Sequence, residues 1–165
     1  QASVPAFVQM LEALSGLLDK AEAHATAKKF DPSVLINARL APDMFPLSRQ
    51  VQIACDFAKG GSARLAGIEV PTWEDDEKTL GDLKARIRKT LDFVKAIKPA
   101  QIDGSEARDI SIKIAGNPVV FKGQPYLIQF AMPNFYFHLT AAYAILRHNG
   151  VDVGKRDYFG KVPGM

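Results

Sequence analysis

The sequence predicts an all-α protein, a four-helix bundle with a small β-hairpin between its third and fourth helices. Four long segments repeat apolar residues at spacings of three and four, the stripe of an amphipathic helix. Between residues 108 and 122 that period drops to two. The 165 residues hold no internal repeat and no linker long enough to divide them, so residues 1–165 read as one domain.

The first helix is expected over residues 3–29. Ser3 is its expected cap, and Pro5 falls in the first turn, where a missing N–H removes no intrahelical bond. Phe7, Met10, Leu11, Leu14, Leu17, Leu18 and Ala21 form the stripe, which His24 continues. A connector over residues 30–45 contains one short helical turn, opened by Asp31-Pro32 and ending at Asn37. The second helix spans residues 46–66 along a seam of Leu47, Val51, Ala54, Ala58, Gly61 and Leu65, and Gly67 suits its stop. Glycine costs about 1 kcal/mol relative to Ala inside an exposed helix, so Gly60-Gly61 implies a packing reason or a local break.

Thr72 opens the third helix through a Thr-x-x-Asp pattern ending at Asp75, with acidic residues in the first turns where the helix dipole favours them. Leu80, Leu83, Ile87, Leu91, Val94 and Ile97 make its stripe, and the Lys and Arg residues around them read as a solvated face. Ile110, Ile112 and Ile114 then alternate with polar residues, Gly116-Asn117-Pro118 is the expected turn, and residues 119–121 return. The fourth helix is expected over residues 124–149, with Pro133 kinking or interrupting it. Residues 126–146 carry no formal charge and are apolar nearly all round, which places this helix in the middle of the protein. Residues 150–165 read as an extended tail.

Hydrophobic residues make up 47% and charged residues 24%, the balance of a globular domain rather than of a disordered chain, a disulfide-built miniprotein or a membrane protein. The formal charge is only +3 and no run of five basic residues occurs, so the footprint of a nucleic-acid binder is missing. No stretch reaches the 18 apolar residues of a membrane-spanning helix and no signal peptide opens the sequence, which starts at Gln1 rather than Met. Cys55 is the only cysteine, which fits a reducing, cytoplasmic setting and reads as a small buried residue.

Asn134 and His138 stand four residues apart and share a helix face that Leu127, Phe130, Ala141 and Ile145 extend. Polar groups in an apolar wall need partners, because an unpaired buried group costs about 1–3 kcal/mol. Two readings stand: a core histidine satisfied by Asn or backbone, or a pocket between the second and fourth helices with His138 as ligand or acid–base group. Gln50 flanks the seam of the second helix, Gln52 points away from it, and Asp43 lies just before it. His24 and His148 sit near helix ends, where His148 suits the dipole. No His-x-x-x-His, Glu-x-x-His or local Cys–His pair occurs, and no phosphate loop, dinucleotide fingerprint or G-x-S-x-G elbow. No cofactor is expected, and catalysis stays an open question.

The stretch Pro133-Asn-Phe-Tyr-Phe-His-Leu-Thr-Ala-Ala-Tyr-Ala-Ile-Leu-Arg-His-Asn-Gly150, with Leu40-Ala-Pro-Asp-Met-Phe-Pro-Leu47 and Gly154-Lys-Arg-Asp-Tyr158, resembles the bacterial family called domain of unknown function 1993. That family is placed in the DinB/YfiT-like superfamily of metalloenzymes. The resemblance implies a four-helix bundle with up-down-down-up connectivity. In the superfamily one His of the second helix and two His four residues apart on the fourth hold a metal. The second of that pair stands nine residues before the Arg of a Tyr-Leu-Arg-x-x-Gly ending. Ala144-Ile-Leu-Arg-His-Asn-Gly150 matches this ending loosely, which carries the three positions to His138, Asn134 and either Gln50 or Gln52. Neutral amides are poor ligands for zinc or nickel, so the metal triad reads as degenerate and no metal is expected.

The first functional expectation is therefore a polar small-molecule pocket around His138, the catalytic candidate, with Asn134, Gln50 and Asp43 binding the ligand. The second is a non-catalytic homodimeric interaction module. The third is a metal-dependent hydrolase or thiol transferase with a nonstandard site that recruits Asp43 or His24. The expected partner is a small molecule, with neither nucleic acid nor membrane.

Overall fold

Apolar stripes decide which helix faces meet. In the computed structural model, which describes residues 3–162 and Gly164, the four long helical stripes correspond to α1 (Val4–Lys28), α3 (Leu47–Ala66), α4 (Leu80–Ala96) and α7 (Met132–His148). Short helices α2 (Ser33–Asn37), α5 (Pro99–Ile102), α6 (Gly123–Pro125) and α8 (Lys155–Phe159) join or follow them. The antiparallel strands β1 (Asp109–Ile114) and β2 (Asn117–Lys122) form a hairpin between α5 and α6. Helix α3 packs against α4 and α7, and α1 against the same two, with a lesser contact between α1 and α3.

The main core draws Phe7, Leu14 and Leu18 from α1, Val51 and Ala58 from α3, Leu83 and Ile87 from α4, and Phe135 and Leu139 from α7. Burying one large aliphatic side chain contributes about 1.5–3 kcal/mol, so these stripes dominate the fold. Phe7 meets Phe135 edge to face at 4.9 Å. A smaller cluster under the hairpin joins Leu65, Ile97, Ile102, Ile110 and Tyr126. Helix α3 does not break at Gly60-Gly61; a Cβ on Gly60 would meet only the end of the Arg64 side chain, 2.5 Å from Nη1, whose guanidinium donates to Tyr126 Oη at 3.1 Å.

Several expectations change. Ser3 makes no cap: its backbone is already helical, and its hydroxyl is buried without a hydrogen-bond partner. The third long helix starts at Leu80, not Thr72, behind a capping box in which Asp82 N–H donates to Thr79 Oγ1 at 3.0 Å and Thr79 N–H to Asp82 Oδ2 at 2.9 Å. The acidic residues before it are engaged elsewhere: Asp75 and Glu77 each lie 2.9 Å from Arg86. The basic face of α4 is accordingly not all solvated, since Arg86 is only 4% exposed.

The hairpin turns on Ala115-Gly116, both at positive φ (49° and 83°), while Asn117 and Pro118 belong to β2. A two-residue hairpin loop matches strand twist when both loop residues adopt positive φ. Ahead of Pro133 the helix widens into a π-helical segment, Tyr126–Ala131, because proline supplies no N–H for the ordinary ladder. The fourth stripe is not buried all round: Ile128 is 54% and Phe137 58% exposed. The expected extended tail contains α8, which packs on α1 through Gln9 Nε2, a donor to the Phe159 carbonyl at 3.0 Å, and through Lys20–Asp157. Among the described residues no helix is long and apolar enough to cross a membrane.

Candidate functional site

Helix α7 turns one face to α3, and that crossing buries two polar side chains together. His138 Nδ1 lies 2.7 Å from Gln50 Oε1. The other end of the Gln50 amide donates from Nε2 to the Phe45 carbonyl at 3.1 Å. A carbonyl only accepts, so the amide nitrogen must face Phe45 and the amide oxygen must face His138. That oxygen also only accepts, so the proton resides on His138 Nδ1. In the neutral imidazole Nε2 then carries the lone pair.

Burial, and next the positive charge of Arg49, hold the His138 pKa below its ordinary value, which favours the neutral ring. Nε2 has no hydrogen-bond partner among the described residues. It is not one of the described polar atoms sealed from solvent without a partner, which are Ser3 Oγ, Ser62 Oγ and Arg86 Nε. The bare edge of the ring therefore keeps a path to solvent.

Aromatic rings frame the imidazole. Phe57, two helical turns beyond Gln50, lies near-parallel to it at 6.1 Å, and Phe137 meets it edge-on at 5.2 Å. Arg49 sits over the Phe45 ring at 5.9 Å, bonds to Asp75 and donates to Gln52 Oε1 at 3.3 Å. Asp75 in turn reaches Arg86, which also pairs with Asp56 at 3.0 Å and Glu77 at 2.9 Å. Three carboxylates around one buried guanidinium answer the desolvation cost of its charge. Trp73 completes this connector with Lys59 and Lys89 at 4.4 and 4.5 Å from its ring centroid. A cleft of about 560 Å³ opens beside it, lined by Trp73, Glu74, Glu77, Arg86 and Lys89 among others.

The sequence-derived candidates are placed unequally. His138 and Gln50 are brought together. Gln52 is buried as well, but it donates from Nε2 to Glu77 Oε2 at 2.8 Å. Asn134 lies one turn before His138, half-buried, and donates from Nδ2 to its own helix at the Phe130 carbonyl, 2.7 Å. Asp43 is exposed in the turn before α3, with no bond to His138 or Gln50. His24 packs against Phe30 at 5.7 Å, away from this cluster. Cys55 is fully buried, and burial pushes its thiol up to about 12.

Arg49, Phe45 and Phe57 join the site without a motif that marks them. The seven-residue step from Gln50 to Phe57 on one helix face was the available signal for the ring.

A transition metal at the three superfamily positions finds the wrong donors. One imidazole remains beside the neutral amides of Gln50 and Asn134, and the Gln50 oxygen already accepts from that imidazole. No cluster of three His, Cys, Asp or Glu among the described residues could hold an ion.

The fold is that of a DinB-like helical protein. The chain is similar to a crystal structure described as a DinB family member protein from Shewanella denitrificans, with 46% identity, a TM-score of 0.88, and coverage of 98% of this chain and 91% of that one. Residues 1–159 match the family model Domain of unknown function (DUF1993), and the chain belongs to that family. No curated protein matches it.

Proposed function

We propose that this protein binds a small molecule at the solvent-facing edge of His138, between α3 and α7, without a metal. The observation that carries the reading is the relay from the Phe45 carbonyl through the Gln50 amide to His138 Nδ1, which leaves Nε2 as a free acceptor. A neutral imidazole with a pKa held below the usual value accepts a ligand proton near neutral pH, as a hydrogen-bond acceptor or as a general base. In this reading Gln50 is a positioning residue, and Asn134 orients the ligand from the preceding turn.

The four long helices are read as an up-down-down-up bundle, residues 1–165 as one domain, and its setting as the bacterial cytoplasm. The test is ligand binding by His138→Ala and by wild type, with thermal unfolding followed in parallel. Loss of binding with a near-native melting point supports the site. A loss of several kcal/mol of stability, with no ligand found for either protein, makes His138 a structural core residue. Stoichiometric zinc or nickel in protein purified without added metal contradicts the metal-free reading.

A second reading, a homodimer, is favoured by the exposure of Phe45 and Phe137, at 54% and 58%. Light scattering on the eluting protein tests it, and a strict monomer at high concentration removes it.

A further inference from the structure

We propose, resting on the His138 reading above, that the ligand is an uncharged or anionic hydroxyarene, its hydroxyl donating to His138 Nε2 and its ring packing on Phe57 and Phe137. Each part follows from a separate feature. The orientation of the Gln50 amide, fixed by the Phe45 carbonyl, makes Nε2 an acceptor. A ligand whose only polar atoms are ether, carbonyl or carboxylate oxygens offers it nothing, so a hydroxyl or N–H donor is required.

The surroundings of the imidazole are aromatic. Phe57 runs near-parallel to the imidazole, with 15° between planes, and Phe137 stands at 89° to it. Phe137 leaves 58% of its surface to solvent, a large exposed ring beside an imidazole whose Nε2 has no protein partner among the described residues. A flat ring continues this packing by offset or edge contact, whereas a saturated ring cannot. A phenolic hydroxyl is also a stronger donor than an aliphatic one.

Charge selects further. The Arg49 guanidinium lies over Phe45, the residue that holds Gln50, and its side chain is 37% exposed. Its carboxylate partner Asp75 is shared with Arg86. A cationic ligand would therefore meet like charge at this rim, and a ligand carboxylate would find a guanidinium within reach of solvent.

The experiment uses the full chain, labelled with 15N, and follows the His138 ring nitrogens at neutral pH. Phenol, 4-hydroxybenzoate, anisole, tyramine and cyclohexanol are titrated separately. Phenol and 4-hydroxybenzoate are expected to shift Nε2 saturably, roughly tenfold or more tighter than anisole, cyclohexanol and tyramine, a tenfold step being about 1.4 kcal/mol. Arg49→Gln is expected to erase the preference for 4-hydroxybenzoate over tyramine while phenol still binds, and Arg49→Lys to retain it. Anisole binding as tightly as phenol overturns the hydroxyl contact, and cyclohexanol binding as tightly overturns the aromatic class. Either result leaves His138 as a binding site. If none of the five probes moves Nε2, the hydroxyarene proposal falls, while the His138 reading is decided separately by the comparison of His138→Ala with wild type.

Discussion

Gln50 and His138, 88 residues apart in the sequence, meet at 2.7 Å across the contact between α3 and α7. The bond ties the two helices together and also fixes which nitrogen of the imidazole is available. Its geometry descends from a backbone carbonyl, that of Phe45, just before α3. A conformational choice made by three residues thus sets the chemistry of one atom.

Replacing Gln50 separates the structural and chemical parts of this bond. Gln50→Leu leaves His138 Nδ1–H buried without an acceptor and is expected to destabilise the fold by about 1–3 kcal/mol in urea unfolding. Gln50→Glu places a carboxylate where the amide oxygen stood. It is expected to raise the His138 pKa, read by NMR titration, because an opposite charge favours the imidazolium.

Stability is expected to fall with acidity through His138. Burial first, and then Arg49, lower its folded pKa below the ordinary value of 6.5. Between those two values the unfolded chain binds more protons than the folded one, so stability rises with pH across that window and declines on acidification from 6.5 downward. His138→Asn removes this component. The difference in unfolding free energy between wild type and the variant should therefore shift against wild type as pH falls through the window.

Arg86 holds the 68–79 connector down. Arg86→Met leaves the buried Glu77 without its cation, while Asp75 keeps Arg49 and Asp56 keeps Lys59, so the loss is expected to stay below that of a fully buried broken pair, about 3–5 kcal/mol. Trp73 is the single tryptophan and lies in this connector, so fluorescence reports it without interference. The variant is expected to show a red-shifted, more quenchable emission before global unfolding.

Cys55 is expected to be inert. Its thiol is wholly buried and pushed up to about 12, so almost no thiolate exists at neutral pH. A chromogenic disulfide reagent should leave it untouched in native protein and react stoichiometrically in denaturant.

Long apolar periods carried most of the fold. The stripe of α3 and its stop at Gly67 were legible because both are local: helical spacing and a glycine at φ 69°. The start of α4 was not, because Thr72 to Asp75 mimics a helix N-terminus while Asp75 serves Arg86, ten or so residues ahead. The hairpin was legible from its alternation, but its turn fell one step early, on Ala115-Gly116 rather than Gly116 to Pro118.

At the site, helical spacing marked Asn134 and His138, and seam position marked Gln50. The family resemblance left Gln50 and Gln52 both open as the partner of His138; packing agrees with the seam, setting Gln50 against His138 and Gln52 against Glu77. Asp43 illustrates the opposite failure, since nearness in sequence to α3 left it exposed.

The measurement closest to the centre of this account is the 15N spectrum of the His138 ring across a pH titration. The relay from Phe45 through Gln50 requires a neutral imidazole protonated at Nδ1, an unprotonated Nε2, and a pKa below 6.5. A neutral ring protonated at Nε2, or a pKa above 6.5, would contradict it.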